Sequence, residues 1–146
     1  MSVIIGIDPD SEAHGVAIYK DGKLKELQNM TLAQIVVHTL PNIPKDTVFH
    51  IEDVSSSSYV HRQRTDRAPN TSVAQKMAWG VGKCAQSEIE LRRVLEVMGF
   101  EYVMHKRGSV WKETKSKKQF ELVTGWTGRS NEDTRSAAYF GWLGLK

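Results

Sequence analysis

The spacing of apolar and polar positions changes several times along the chain, and each change predicts an element. Val3, Ile4, Ile5 and Ile7 form an almost unbroken apolar run, as expected of a strand covered on both faces. The run ends at Asp8-Pro9, and a second strand follows from Gly15 to Tyr19. Lys20-Asp21-Gly22-Lys23 is a hairpin signal, leading into a third strand from Leu24 to about Met30. At Thr31, a suitable N-cap, the period becomes helical through Leu32, Ile35, Val36, Thr39 and Leu40, and Pro41 and Pro44 end it. Val48 to Val54 is β-rich and carries Glu52 and Asp53 near its end, and residues 55 to 72 are polar and irregular. A long helix is predicted from about Val73 to Met98. Its stripe of Val73, Met77, Val81, Cys84, Leu91, Leu95 and Met98 is interrupted at Glu88, and Gly99 suits its end. Glu101 to His105 reads as a short strand and Lys106 to Lys115 as a basic loop. A short helix from about Ser116 to Thr124 stops at Gly125, and a last helix runs from its N-cap Asn131 to about Leu143.

Three leading strands joined by short turns must be antiparallel. Strands that return through helices run parallel to the first. The pattern therefore predicts an α/β fold: a mixed five-stranded sheet with helices on both faces.

Composition narrows the setting. The chain has 146 residues, enough for one domain over 1–146 with a real core. Its one cysteine, Cys84, excludes an internal disulfide, suits a reducing compartment and reads as a small core residue. No apolar run reaches membrane length, and no basic stretch precedes the first strand, so neither a membrane span nor a signal peptide is expected. The net charge of +3 is modest, and its distribution says more. Residues 105 to 118 hold Lys106, Arg107, Lys112, Lys115, Lys117 and Lys118 against one acid, Glu113. Residues 55 to 76 hold His61, Arg62, Arg64, Arg67 and Lys76 among small polar residues, with Asp66 as the acid. Such stretches suit phosphate contacts along a DNA backbone. A solvated basic loop is the ordinary alternative.

Asp8 is the first candidate for chemistry. A carboxylate closing a doubly covered strand is costly to desolvate unless a cation, a hydrogen-bond network or a metal meets it. The ordinary alternative is a turn aspartate, since Asp-Pro is common turn chemistry. His14, His38 and His50 show no metal-binding spacing and read as structural, as do Trp79, Trp111, Trp126 and Trp142, although Trp111 stands in the basic loop.

The element order, with Gly6-Ile7-Asp8-Pro9 ending the first strand, Ile51-Glu52 ending the fourth and Asn131-Glu132-Asp133-Thr134-Arg135-Ser136-Ala137-Ala138 opening the last helix, resembles the ribonuclease H-like superfamily. Within it the chain looks most like RuvC-type Holliday junction resolvases, particularly small phage-type ones. In such a fold the first and fourth strands are neighbours and the last helix packs across their ends. The resemblance implies a metal site of Asp8, Glu52 and Asp133, with Glu132 and Asp53 as neighbouring alternates. Clustered carboxylates repel one another and raise each other's pKa, and a pair of hard divalent cations, Mg2+ or Mn2+, relieves this. The family usually carries a second acid three residues after the first on this helix, and Ser136 stands at that position. A hydroxyl is a neutral, weaker ligand. Either a natural variant or an inactivating change would account for it.

The resemblance further implies a pair of lysines supporting catalysis, with Lys106 and Lys117 the nearest matches in register and Lys118 an alternate. It implies an aromatic entering the junction centre, for which Tyr59 is the loose match. DNA contacts fall to His61, Arg62, Arg64, Arg67, Lys76, Arg107, Lys112, Lys115 and Lys118. The expected activity is crossover junction endodeoxyribonuclease: symmetric nicking of branched DNA, chiefly four-way junctions, in the cytoplasm of a bacterium or of a phage's host. A homodimer through helix 73–98 would present two sites by symmetry. Alternatives are a related nuclease cutting forks, flaps or RNA, and a junction-binding protein with impaired cleavage. An actin-like phosphotransferase would need two such domains and a glycine-rich phosphate loop, and the chain has neither.

Overall fold

A computed structural model describes residues 1–55 and 71–146, except the side chains of residues 71, 73, 74, 77 and 81. Tyr59, His61, Arg62, Arg64 and Arg67 lie outside the described residues. Three strands lead: β1 (Val3–Asp8), β2 (His14–Lys20) and β3 (Lys23–Met30). A helical segment follows, starting as α1 (Leu32–Gln34) and running on as a π turn (Ile35–Thr39) and a 3-10 turn (Leu40–Asn42). Then come β4 (Val48–Glu52), α2 (Thr71–Met98), β5 (Glu101–His105), a 3-10 turn (Thr114–Ser116), α3 (Lys117–Thr124) and α4 (Glu132–Leu143). The sheet order is β3-β2-β1-β4-β5. β1–β2 and β2–β3 are antiparallel, and β1–β4 and β4–β5 are parallel, so the expected mixed sheet is present with helices on both faces.

Strand alternation divides the core in two. Val3, Ile5 and Ile7 join Val16, Ile18, Phe49 and Ile51 under Leu91 and Leu95 of α2 and Ile35 and Leu40 of the first helical segment. Ala17, Tyr19 and Leu24 face the other way, against Ala137 and Ala138 of α4, with Trp111 and Phe120 in the same cluster. Tyr19 Oη donates to the Ala138 carbonyl at 2.6 Å and fixes the height of α4 over the sheet. Close contact there depends on glycine. A Cβ on Gly6 would run into the Ala137 carbonyl, and one on Gly15 into that of Asp133.

Several boundaries differ from the expected ones. β4 ends at Glu52 rather than Val54, because the Asp53 side chain turns back to accept from Ser55 N at 3.1 Å. α2 begins at Thr71, two residues before Val73. Glu88 is fully buried and does not break the stripe. Its carboxylate accepts from Arg92 Nε at 2.6 Å and from Ser55 Oγ at 2.9 Å, which offsets its desolvation. Met98, at the far end of the stripe, is 40% exposed. The first helical segment widens to a π turn just before Pro41, whose missing N–H and bulky ring do not suit regular α geometry. The tryptophans diverge. Trp111 is buried among Phe120, Tyr139 and Trp142, so it is a packing residue, whereas Trp79 is 70% exposed. Among the described residues, no helix is long and apolar enough to cross a membrane.

Candidate active site

Asp8 and Glu52 meet because their strands are parallel neighbours in register, with Ile7 opposite Ile51. Ile7 and Ile51 point into the apolar core under α2, so the next residue on each strand points to the α4 face. There α4 supplies the rest. Asn131 caps it: its side chain accepts from Thr134 N and its N–H donates to Thr134 Oγ1, both at 2.9 Å. Asn131 Nδ2 also donates to Asn29 Oδ1 at 2.6 Å, tying the helix start to β3. Asp133 and Ser136, three residues apart, therefore stand on one face above the strand ends. Ser136 is buried, and its Oγ donates to Glu52 Oε2 at 3.5 Å.

Two cations balance these acids. Lys112 Nζ lies 3.2 Å from Asp8 Oδ2 and 3.8 Å from Asp133 Oδ1. Arg107 Nε lies 3.8 Å from Glu52 Oε1. Asp8 and Glu52 are each only 3% exposed. Burial raises the Asp8 pKa; Lys112 opposes this and Asp133 adds to it. Burial, with the charge of Asp8, pushes Glu52 up to about 7 despite Lys112 and Arg107. Burial also raises Asp133. For Lys112 burial works against the charge, but Asp8 and Glu52 outweigh it and hold the pKa above the ordinary lysine value. The site is thus short of positive charge even with its lysine in place.

The acids line a cleft of about 330 Å³, together with Asp10, Lys76, Cys84, Arg107 and Lys112. As the side chains stand, no three histidine, cysteine or acidic residues among those described enclose one ion position. The donor chemistry still fits a hard divalent cation: the ligands are all oxygen, two carboxylates are adjacent, and all three acids have raised pKa values that a cation would lower.

The structure redistributes the expected basic residues. Lys106 and Lys117 are exposed and do not line the cleft. Lys112 and Arg107, expected as DNA contacts, are the cations at the carboxylates. Lys115 pairs with Glu113 at 3.1 Å on the surface, and Lys118 is exposed. Lys76 is exposed at the cleft. Of the alternate acids, Glu132 is exposed and Asp53 is engaged with Ser55. Cys84 is half-buried in the cleft wall, not a core residue. His14 is buried and accepts from Asp10 N at 3.2 Å; His50 and His105 stack, with ring nitrogens 2.8 Å apart. Sequence reasoning missed Asp10 and Arg135. Asp10 could have been found as the next acid after Asp8. Arg135 could have been found as a lone cation in a run of small residues on a helix that must pack closely.

The fold is shared with solved structures of RuvC. Thermus thermophilus RuvC in complex with a Holliday junction substrate matches with a TM-score of 0.55 at 13% identity, covering 97% of this chain and 92% of that one. A second Thermus thermophilus RuvC structure matches with a TM-score of 0.50 at 13% identity, covering 96% and 91%. The Fowlpox virus resolvase in complex with substrate Holliday junction DNA matches with a TM-score of 0.47 at 11% identity, covering 97% of each chain. At such identities the likeness is one of fold. No protein-family model matches the sequence, and no curated protein matches it.

Proposed function

We propose that the protein is a metal-dependent endonuclease that binds branched DNA, chiefly four-way junctions, and nicks it symmetrically as a homodimer through helix 73–98. The observation that carries this reading is the pairing of Asp8 with Glu52 at adjacent strand ends, capped by Asp133 and Ser136 from α4. The shared fold supports it, since the Thermus thermophilus protein of that fold is described with a Holliday junction substrate.

Two divalent ions, magnesium or manganese, held by Asp8, Glu52, Asp133 and Ser136 would supply the Lewis acidity that phosphodiester hydrolysis needs. The chain's own residues do the rest. Lys112 keeps Asp8 and Asp133 in a charged, compact arrangement before substrate arrives. With a phosphate in the cleft, its ammonium and the Arg107 guanidinium stabilise negative charge that grows on the phosphate oxygens. In this reading Lys112 takes the part that the family resemblance assigns to Lys106 and Lys117. Those two, with Lys115 and Lys118, contact the flanking DNA backbone, and Lys76 contacts it from α2. Tyr59, His61, Arg62, Arg64 and Arg67, which lie outside the described residues, are further proposed DNA contacts.

The buried Ser136 hydroxyl favours a second reading, a junction-binding protein with impaired cleavage, because it gives the site one charge fewer than a fourth acid would. One experiment separates the two: gel shift and nicking of labelled four-way junction, fork and linear duplex, with magnesium or manganese. Paired symmetric nicks on the junction support the nuclease. Tight, junction-selective binding without nicks supports the binding protein. Cleavage of fork or flap alone points to a related nuclease.

A further inference from the structure

Arg135 sits between Asp133 and Ser136 on α4 and is only 5% exposed. A buried arginine usually meets a carboxylate; here its fork is spent on backbone and a hydroxyl. Nε donates to the Trp111 carbonyl at 3.0 Å, Nη2 to the Lys112 carbonyl at 2.9 Å and Nη1 to Ser130 Oγ at 3.2 Å. The two carbonyls are consecutive, and they belong to the segment that delivers Lys112 to the cleft. That segment is held on its other side as well. The Trp111 ring packs 5.4–5.5 Å, centroid to centroid, from Phe120, Tyr139 and Trp142, and Lys112 N donates to the Ser109 carbonyl at 3.1 Å.

We propose that Arg135 is a positioning residue: it clamps the Trp111 and Lys112 carbonyls to α4 and thereby holds the Lys112 ammonium against Asp8 and Asp133. The planar fork meets two successive carbonyls at once, which a lysine's single ammonium cannot do. A long, free lysine stem would otherwise lose much rotamer entropy on reaching the acids; a pinned backbone origin reduces that loss. Because Asp133, Arg135 and Ser136 share one stretch of helix, any shift of α4 moves Asp133, Ser136 and the lysine anchor together. The consequence for cleavage rests on the nuclease reading, but the clamp itself does not.

The test therefore has two arms. In the first, acetic anhydride labels the lysines of wild type and Arg135→Lys, read by mass spectrometry. Lys112 should react faster in the variant, while Lys45, whose amine donates to the Met98 carbonyl, keeps its rate. An unchanged Lys112 rate overturns the clamp, whether or not the protein cleaves DNA. In the second arm, single-turnover nicking of a junction should slow at least about tenfold in Arg135→Lys, with no further loss when Lys112→Ala is already present. Equal slowing in both backgrounds makes Arg135 merely structural and overturns the proposal. If Arg135→Lys does not fold, Ser130→Ala removes a single acceptor of the fork. It should raise Lys112 reactivity by a smaller amount, and no rise overturns the clamp.

Discussion

On one face of the sheet Ile5, Ile7, Phe49 and Ile51 are wholly buried beneath Leu91 and Leu95; on the other, the residues alternating with them are Gly6, Asp8, His50 and Glu52. The first face is made of branched and aromatic side chains that fill space and carry no charge. The second is made of glycines that admit a helix backbone and of acids that the helix then covers. Burying an aliphatic side chain contributes about 1.5–3 kcal/mol, whereas the acids oppose folding while charged. The apolar face thus stabilises a fold in which the other can hold an unfavourable cluster.

Five substitutions or conditions break or sharpen that contrast, beginning with the largest effect. Asp8→Asn removes a charge from the second face without removing packing. Nicking should fall at least about a thousandfold, with junction affinity nearly unchanged and Tm equal or higher. A cleavage rate near wild type would remove Asp8 from the chemistry. Gly15→Val should push α4 off the sheet. Overpacking costs typically ~1–3 kcal/mol and occasionally more, and ~3 kcal/mol lowers Tm by roughly 10 °C in a chain of this size. Its mirror on the apolar face, Ile51→Val, should cost only about 0.5–1.5 kcal/mol and leave nicking intact. Calorimetry with a nicking assay reads both, and equal effects on cleavage would erase the distinction between the faces.

Ser136→Asp adds a buried acid beside Glu52. Without metal it should lower Tm, because like charges are forced together. With magnesium or manganese it should bind the ion more tightly and nick at least about tenfold faster. If calorimetric titration and nicking are both unchanged, position 136 has no part in metal binding.

The last test is one of pH. Glu52, with a pKa raised to about 7, binds more protons in the folded than in the unfolded state between its ordinary value and about 7. Its contribution to metal-free stability therefore declines as pH rises through that window. His14, His50 and His105, whose pKa values are lowered chiefly by burial, act in the opposite sense, so the comparison must be with Glu52→Gln. In EDTA the Tm advantage of Glu52→Gln over wild type should grow from pH 5 to pH 8, with roughly 3 kcal/mol as the upper bound. A constant difference would mean that Glu52 titrates normally.

The strands, their antiparallel start and the capped last helix were legible in the sequence, because each rests on a local rule: period two, Asp21-Gly22 in the hairpin, Asn131 before an acidic first turn. The meeting of Asp8 with Glu52 was implied only by the family resemblance, and it is the β1–β4 register that puts both on one side. Tertiary structure decided which cations meet those acids. Lys106, Lys112 and Lys117 are indistinguishable as letters in a basic stretch. Burial of the Trp111 ring and the grip of Arg135 on two carbonyls turn Lys112 inward and leave the other two in water. It also decided that Glu88 belongs to the interior, because Ser55, which shares its carboxylate with the helical neighbour Arg92, comes from the segment after β4. Hydrophobic period and capping are properties of neighbouring residues, so the chain states them directly. Charge pairing depends on distances across the fold, which exist only once the sheet and its helices have packed.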